Sequence, residues 1–113
     1  MSRVERVSAL IQQEIADILI KKINDKRIGF ISITKVEVSK DFSHAWVSYS
    51  QIGSDEAKQL TKRGLSSATP FIKGELGKVL RLQKVPQIHF KYDDRIEKTA
   101  KLIEQINALS EES

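Results

Sequence analysis

The sequence of 113 residues contains no cysteine. That excludes disulfides, thiolate nucleophiles and cysteine-based zinc sites together. No apolar run approaches the ~20 residues that a membrane span needs. Met1-Ser2-Arg3-Val4-Glu5-Arg6 leads into no apolar signal core, so a cytoplasmic rather than a secreted protein is expected. No glycine-rich loop of P-loop or dinucleotide type occurs. The two histidines, His44 and His89, have no cysteine and no further histidine at metal-ligand spacing. No cofactor, metal or small-molecule substrate is therefore expected. Asp93-Asp94 could suggest paired carboxylates for acid–base or metal work. As adjacent residues before a helix they read better as its cap and first-turn dipole partners.

What is present is an ordinary globular mixture, 40% hydrophobic and 30% charged, of a length that fits one domain. The net charge of +4 is unevenly spread. Between residues 55 and 92, Lys58, Lys62, Arg63, Lys73, Lys78, Arg81, Lys84 and Lys91 face only Asp55, Glu56 and Glu75. The segment after residue 92 is net acidic. An electropositive middle third suits a polyanionic partner, although a run of lysines is also what a solvated helix face looks like.

Periodicity sets the elements. Val4, Val7, Leu10, Ile11, Ile15, Ile18, Leu19 and Ile23 make one apolar stripe, predicting a helix over about residues 3–24. Ile31 and Ile33 alternate, and Val36 and Val38 then alternate in the opposite parity, which places a β-bulge near Thr34-Lys35. Residues 39–43 turn the chain into a second strand, with Ala45, Val47 and Tyr49 on one face and Trp46, Ser48 and Ser50 on the other. Trp46 is thereby open to base stacking or to cross-strand packing. From residue 55 the pattern is helical until Pro70, which has no N–H for the Ser66 carbonyl and disfavours helical backbone at Thr69. Thr69 as N-cap and Pro70 at the first helical position predict two helices, 55–67 and 70–82, with a sharp kink between them. A third strand follows Val85-Pro86. A last helix over about 95–109 is expected to turn Ile96, Ala100, Ile103 and Ile106/Asn107 inward, leaving residues 110–113 as a short frayed acidic tail. The expected fold is α+β, in the order α-β-β-α-kink-α-β-α within residues 1–109. It is a three-stranded mixed sheet with helices packed on one face, because the helical crossover favours parallel pairing of the last two strands.

This topology, with its break between consecutive helices, resembles a type II KH domain. Local strings go further and resemble the ribosome-binding factor A family, bacterial maturation factors of the small subunit. They are Arg3-Val4-Glu5-Arg6-Val7, Asp25-Lys26-Arg27-Ile28-Gly29-Phe30, the run from Val36 to Val47, the run from Phe71 to Pro86, and Phe90-Lys91-Tyr92-Asp93. They span nearly the whole chain in order. Departures are Lys26 where the family usually has proline, Ala68-Thr69-Pro70 where it usually has an Ala-x-Gly kink, Gln83 where a second arginine is common, and no basic C-terminal extension of the kind some longer members carry. The two-glycine signature of ordinary KH domains is missing at the break, so their four-nucleotide clamp is not carried over.

The resemblance implies a non-enzymatic, monomeric, cytoplasmic RNA-binding factor. Its partner would be the 16S rRNA of the free, immature 30S subunit, and its role late maturation and rRNA processing, with a part in growth in the cold. A restarted helix at Thr69–Lys73 would offer unpaired N–H groups and a positive dipole end to phosphate. Candidate RNA contacts are Arg63, Ser67, Ala68, Thr69, Pro70, Lys73, Lys78, Arg81 and Lys84. Arg3, Arg6, Lys26 and Arg27 are secondary candidates, with Lys21 and Lys22 nearby. The alternatives are a generic KH-like RNA-binding module without ribosomal specificity and, from another class, a small enzyme using Asp93, Asp94 or His89.

Overall fold

The computed structural model of the protein describes residues 1–81 and 84–112. Its elements are α1 (Arg3–Lys21), β1 (Ile31–Val38), β2 (His44–Gln51), α2 (Asp55–Leu80), β3 (Gln87–Tyr92) and α3 (Arg95–Glu112). The sheet order is β1-β2-β3, antiparallel between β1 and β2 and parallel between β2 and β3. This is the mixed α+β arrangement expected.

Helix α1 starts where the Ser2 side chain accepts a hydrogen bond from the Glu5 N–H at 3.1 Å, capping one of the free donors of the first turn. Its buried stripe, Val7, Ile11, Ile15 and Ile18, meets Val36, Val38, Ala45 and Val47 of the sheet and Ile72 and Leu76 of α2. The register shifts between Ile33 and Lys35, leaving Thr34 as the extra residue of the bulge. Re-aimed by that bulge, the Thr34 hydroxyl donates to Asp93 Oδ2 at 2.9 Å. The other partner of Asp93 is Arg95, whose guanidinium and backbone N–H hold this carboxyl well below its usual range. Asp93 therefore ties the β3–α3 junction together, bonding the Arg95 N–H two residues on.

Two expectations need correction. The chain does not divide into helices 55–67 and 70–82; α2 runs through Pro70 as one helix of 26 residues. Pro70 still denies Ser66 its donor, at a typical cost of about 3 kcal/mol. Burial of Leu65, Ile72 and Leu76 on both sides of the proline outweighs that local preference. Thr69 is not an N-cap: its hydroxyl points back and donates to the Leu65 carbonyl at 2.8 Å. The end expected at Leu82, and Gln83, lie outside the described residues.

The second correction concerns α3. Helices α1 and α2 cover one face of the sheet, but α3 does not join them: Ile96, Ile103 and Ile106 are 60, 52 and 53% exposed. A three-stranded sheet is narrow, and the two crossing helices leave no room on that face. Helix α3 is held near its start, where Glu97 accepts from Lys58 Nζ and the Tyr92 hydroxyl, and it runs through Glu112 rather than ending near residue 109. Ser113, the end of the expected tail, lies outside the described residues. Among the described residues no helix is long and apolar enough to cross a membrane.

Gly64 decides how closely the loop before β1 crosses α2. A Cβ there would stand 2.5 Å from Ile28 Cγ1 and 3.3 Å from Arg27 Cβ. Next to it, the buried Thr61 hydroxyl accepts from the Gly29 N–H at 3.0 Å. In an open helix Gly→Ala gains about 1 kcal/mol of helix propensity. Overpacking costs about 1–3 kcal/mol and reverses the sign. Gly64→Ala is expected to destabilise the fold by about 1 kcal/mol. Urea unfolding checks this, and an unchanged or higher midpoint would show that the loop yields without cost.

Candidate nucleic-acid interface

Between α2 and β3 runs a groove of about 680 Å³. Lys62, Ser66, Thr69 and Pro70 form its helical wall, Ile88 to Tyr92 its strand wall, and Tyr49 contributes from β2. The helical wall follows from spacing: residues 62, 66, 69 and 73 recur at four, three and four, so they share one flank of α2. That flank adjoins the buried stripe of Thr61, Leu65, Ile72 and Leu76, which presses α2 onto the sheet and brings the row to the rim of β3. Strand β3 pairs with β2 on one side and with no strand on the other among the described residues. Its outer edge therefore offers backbone donors and acceptors to a ligand.

The charge of the groove is positive. Among the described residues neither Lys62 nor Lys73 makes an ion pair, and Lys91 stands on the strand side. The nearby acid, Glu75, is buried and already held by Lys22 at 2.7 Å and Lys78 at 3.1 Å. Hydrogen bonds from those two ammonium groups keep its carboxyl ionised and lower its pKa.

The structure therefore redistributes the sequence candidates. Thr69 and Pro70 line the groove, and Lys73 continues their flank. Arg63 and Ser67 are exposed on the flank turned away from it, and Ala68 is half-buried against the core. Lys78 is exposed but paired with Glu75. A common helical face for Lys73, Lys78, Arg81 and Lys84 does not form, because Arg81 ends α2 in the left-handed conformation at φ 49°. Lys84 lies past that turn, 3.3 Å from Ser43 Oγ. The expected phosphate site at a restarted helix is absent as well: with α2 continuous, residues 71–73 lie inside a helix and present no free N-terminal donors. Of the secondary candidates, Arg3 lies 5.2 Å from the Phe42 ring centre, Arg27 is paired with Asp25, and Arg6 and Lys26 are exposed. Lys62, Ser66 and Lys91 were not among the candidates. The row through residues 62, 66, 69 and 73 is legible in the sequence, whereas the approach of β3 is not.

Comparison with known proteins bears on what binds there. Residues 3–106 match the family described as "Ribosome-binding factor A". The ribosome-binding factor A of Dictyoglomus thermophilum is 45% identical over 108 residues, 95% of this chain and 90% of its own. A Thermotoga maritima protein solved by NMR, described provisionally as a ribosome binding factor A, is 30% identical with a TM-score of 0.70, over 77% of this chain and 83% of that one. The Thermus thermophilus ribosome binding factor A, as fitted into a cryo-EM map of a 30S complex, gives 23% identity and a TM-score of 0.62 over 76% of this chain and 90% of that one, a likeness of fold.

Proposed function

This chain belongs to the ribosome-binding factor A family, and from that premise we propose that it is a non-enzymatic RNA-binding assembly factor of the small ribosomal subunit. The observation that carries the reading is the groove between α2 and β3, with Lys62 on the helical wall, Lys73 farther along the same flank of α2 and an open strand edge opposite; among the described residues neither lysine makes an ion pair. Lysines supply salt-dependent attraction to phosphates, and the strand edge and Thr69 supply hydrogen bonds that position a strand without reading its sequence. The partner is 16S rRNA in the free, immature subunit. By preferring one rRNA conformation the factor shifts the equilibrium toward it, and it can do so only to the extent of that preference. Late maturation, rRNA processing and growth in the cold, where misfolded RNA persists, are the settings in which this preference acts. The protein works in the cytoplasm, as a monomer, with residues 1–109 as the binding domain.

Co-sedimentation tests the proposal. The protein is expected to travel with free small subunits and not with assembled ribosomes. Equal affinity for subunits and for any single-stranded RNA would replace it with the generic RNA-binding reading. Turnover of RNA or nucleotide would overturn the non-enzymatic assignment.

A further inference from the structure

The sheet has a second face, which α1 and α2 do not cover. Alternation along β2 buries Ala45, Val47 and Tyr49 and turns His44 and Trp46 the other way. In register, Trp46 stands between Glu37 of β1 and His89 of β3, and Ser48 stands between Lys35 and Lys91. The His44, Trp46 and His89 rings form a cluster: their centres are 5.1–5.8 Å apart and their planes lie within 23–30° of parallel. A 2.9 Å hydrogen bond between His44 Nδ1 and His89 Nε2 fixes the two imidazoles to each other. The cluster is open to water, with Trp46 41% exposed and both histidines exposed.

Packing of the rings on one another accounts for their mutual contact. It does not account for three near-parallel rings held on an uncovered sheet face, at the end where β2 and β3 begin. We infer that this face is a stacking site for unpaired RNA bases, continuous with the α2–β3 groove. The inference rests on the RNA-binding reading above and extends it to the opposite side of the sheet.

Three observations select bases as the occupant. Ring faces held nearly parallel suit another flat ring, and every nucleobase has one. The charge beside the rings is complementary to phosphate: Glu37 and Lys35 neutralise each other at 2.5 Å, and Lys91, beside Ser48, makes no ion pair among the described residues and leaves the face positive. Finally, His89 and Lys91 border the groove as well as belonging to this face. A strand lying in the groove can therefore pass over the edge of β3 and present its next bases to the rings. Such a platform is tolerant of sequence and adds affinity by stacking rather than by charge.

Trp46 is the only tryptophan, so its emission reports on the site directly. The experiment titrates the full chain with a protein-free 16S rRNA transcript, following Trp46 emission and, with labelled RNA, anisotropy. Binding is expected to quench Trp46. Trp46→Ala is expected to weaken binding about five- to hundredfold with an unchanged salt slope, and Trp46→Phe to keep most of the affinity. Circular dichroism establishes that each variant is folded. If wild-type protein binds RNA without quenching and Trp46→Ala binds equally well, the inference fails while the RNA-binding reading stands. If Trp46→Ala loses small-subunit binding but keeps RNA affinity, the face serves a ribosomal protein and the inference also fails. If the wild-type chain binds no RNA at all, the reading beneath it fails.

Discussion

Replacing Lys62 and Lys73 together by glutamate is expected to weaken RNA binding about ten- to hundredfold near 0.1 M salt. Both lysines lie on the flank of α2 that adjoins β3, and neither has an ion-pair partner among the described residues. Charge reversal breaks no ion pair of either lysine among the described residues, so stability is expected to change by less than about 1 kcal/mol. Each phosphate contact on a single strand contributes about 0.7 to the slope of log K against log salt, and two lost contacts flatten it by about 1 to 2. Anisotropy at several salt concentrations measures both quantities. Arg63→Glu is the control, because it changes charge equally one residue along and about 100° round the helix. Its expected effect is no more than about threefold, since it is limited to long-range screening. Equal losses for Arg63→Glu and for either groove lysine alone would mean that RNA senses only the average charge of α2.

The largest expected stability effect comes from Ile72→Ala. Ile72 is fully buried, two residues after Pro70, in the cluster that joins α1, α2 and the sheet. Removing three carbons from such a site costs about 2–5 kcal/mol, as lost transfer energy plus a cavity. That is a large share of a typical total of about 5–15 kcal/mol, and it lowers Tm by roughly 10–20 °C. The position also tests how the proline is tolerated. If burial of Ile72 and Leu76 holds the second half of α2 in line past Pro70, the variant loses helical signal at 222 nm as well as stability. A loss under about 1 kcal/mol would mean that the helix crosses Pro70 without needing this anchor.

Much of this architecture is legible in the sequence. The parity switch between Ile31/Ile33 and Val36/Val38 locates a bulge that the register places between Ile33 and Lys35. The α1 stripe foretells Val7, Ile11, Ile15 and Ile18 in the core. The departures from local expectation share one cause. Proline rules describe local backbone preference, and at Pro70 the burial of distant partners prevails. An apolar stripe shows that a face suits burial, and cannot show that α1 and α2 have already occupied the place where α3 would lie. Lys73 and Lys84 share no helix face, because α2 ends at Arg81.

The order of the strands, the mixed sheet, the bulge and the concentration of positive charge between residues 55 and 92 were determined by the sequence alone. Each depends on periodicity, composition or chain connectivity, which are properties of neighbouring residues. Which cations share a surface was decided only by the tertiary structure. Lys62 and Lys91 line one groove because α2 crosses beside the free edge of β3, while Lys78 is drawn to Glu75 and Lys84 to Ser43. The same folding gathers His44, Trp46 and His89 from two strands whose pairing is parallel and far apart in sequence. Such encounters are set by long-range register and by which faces remain uncovered after the core is filled.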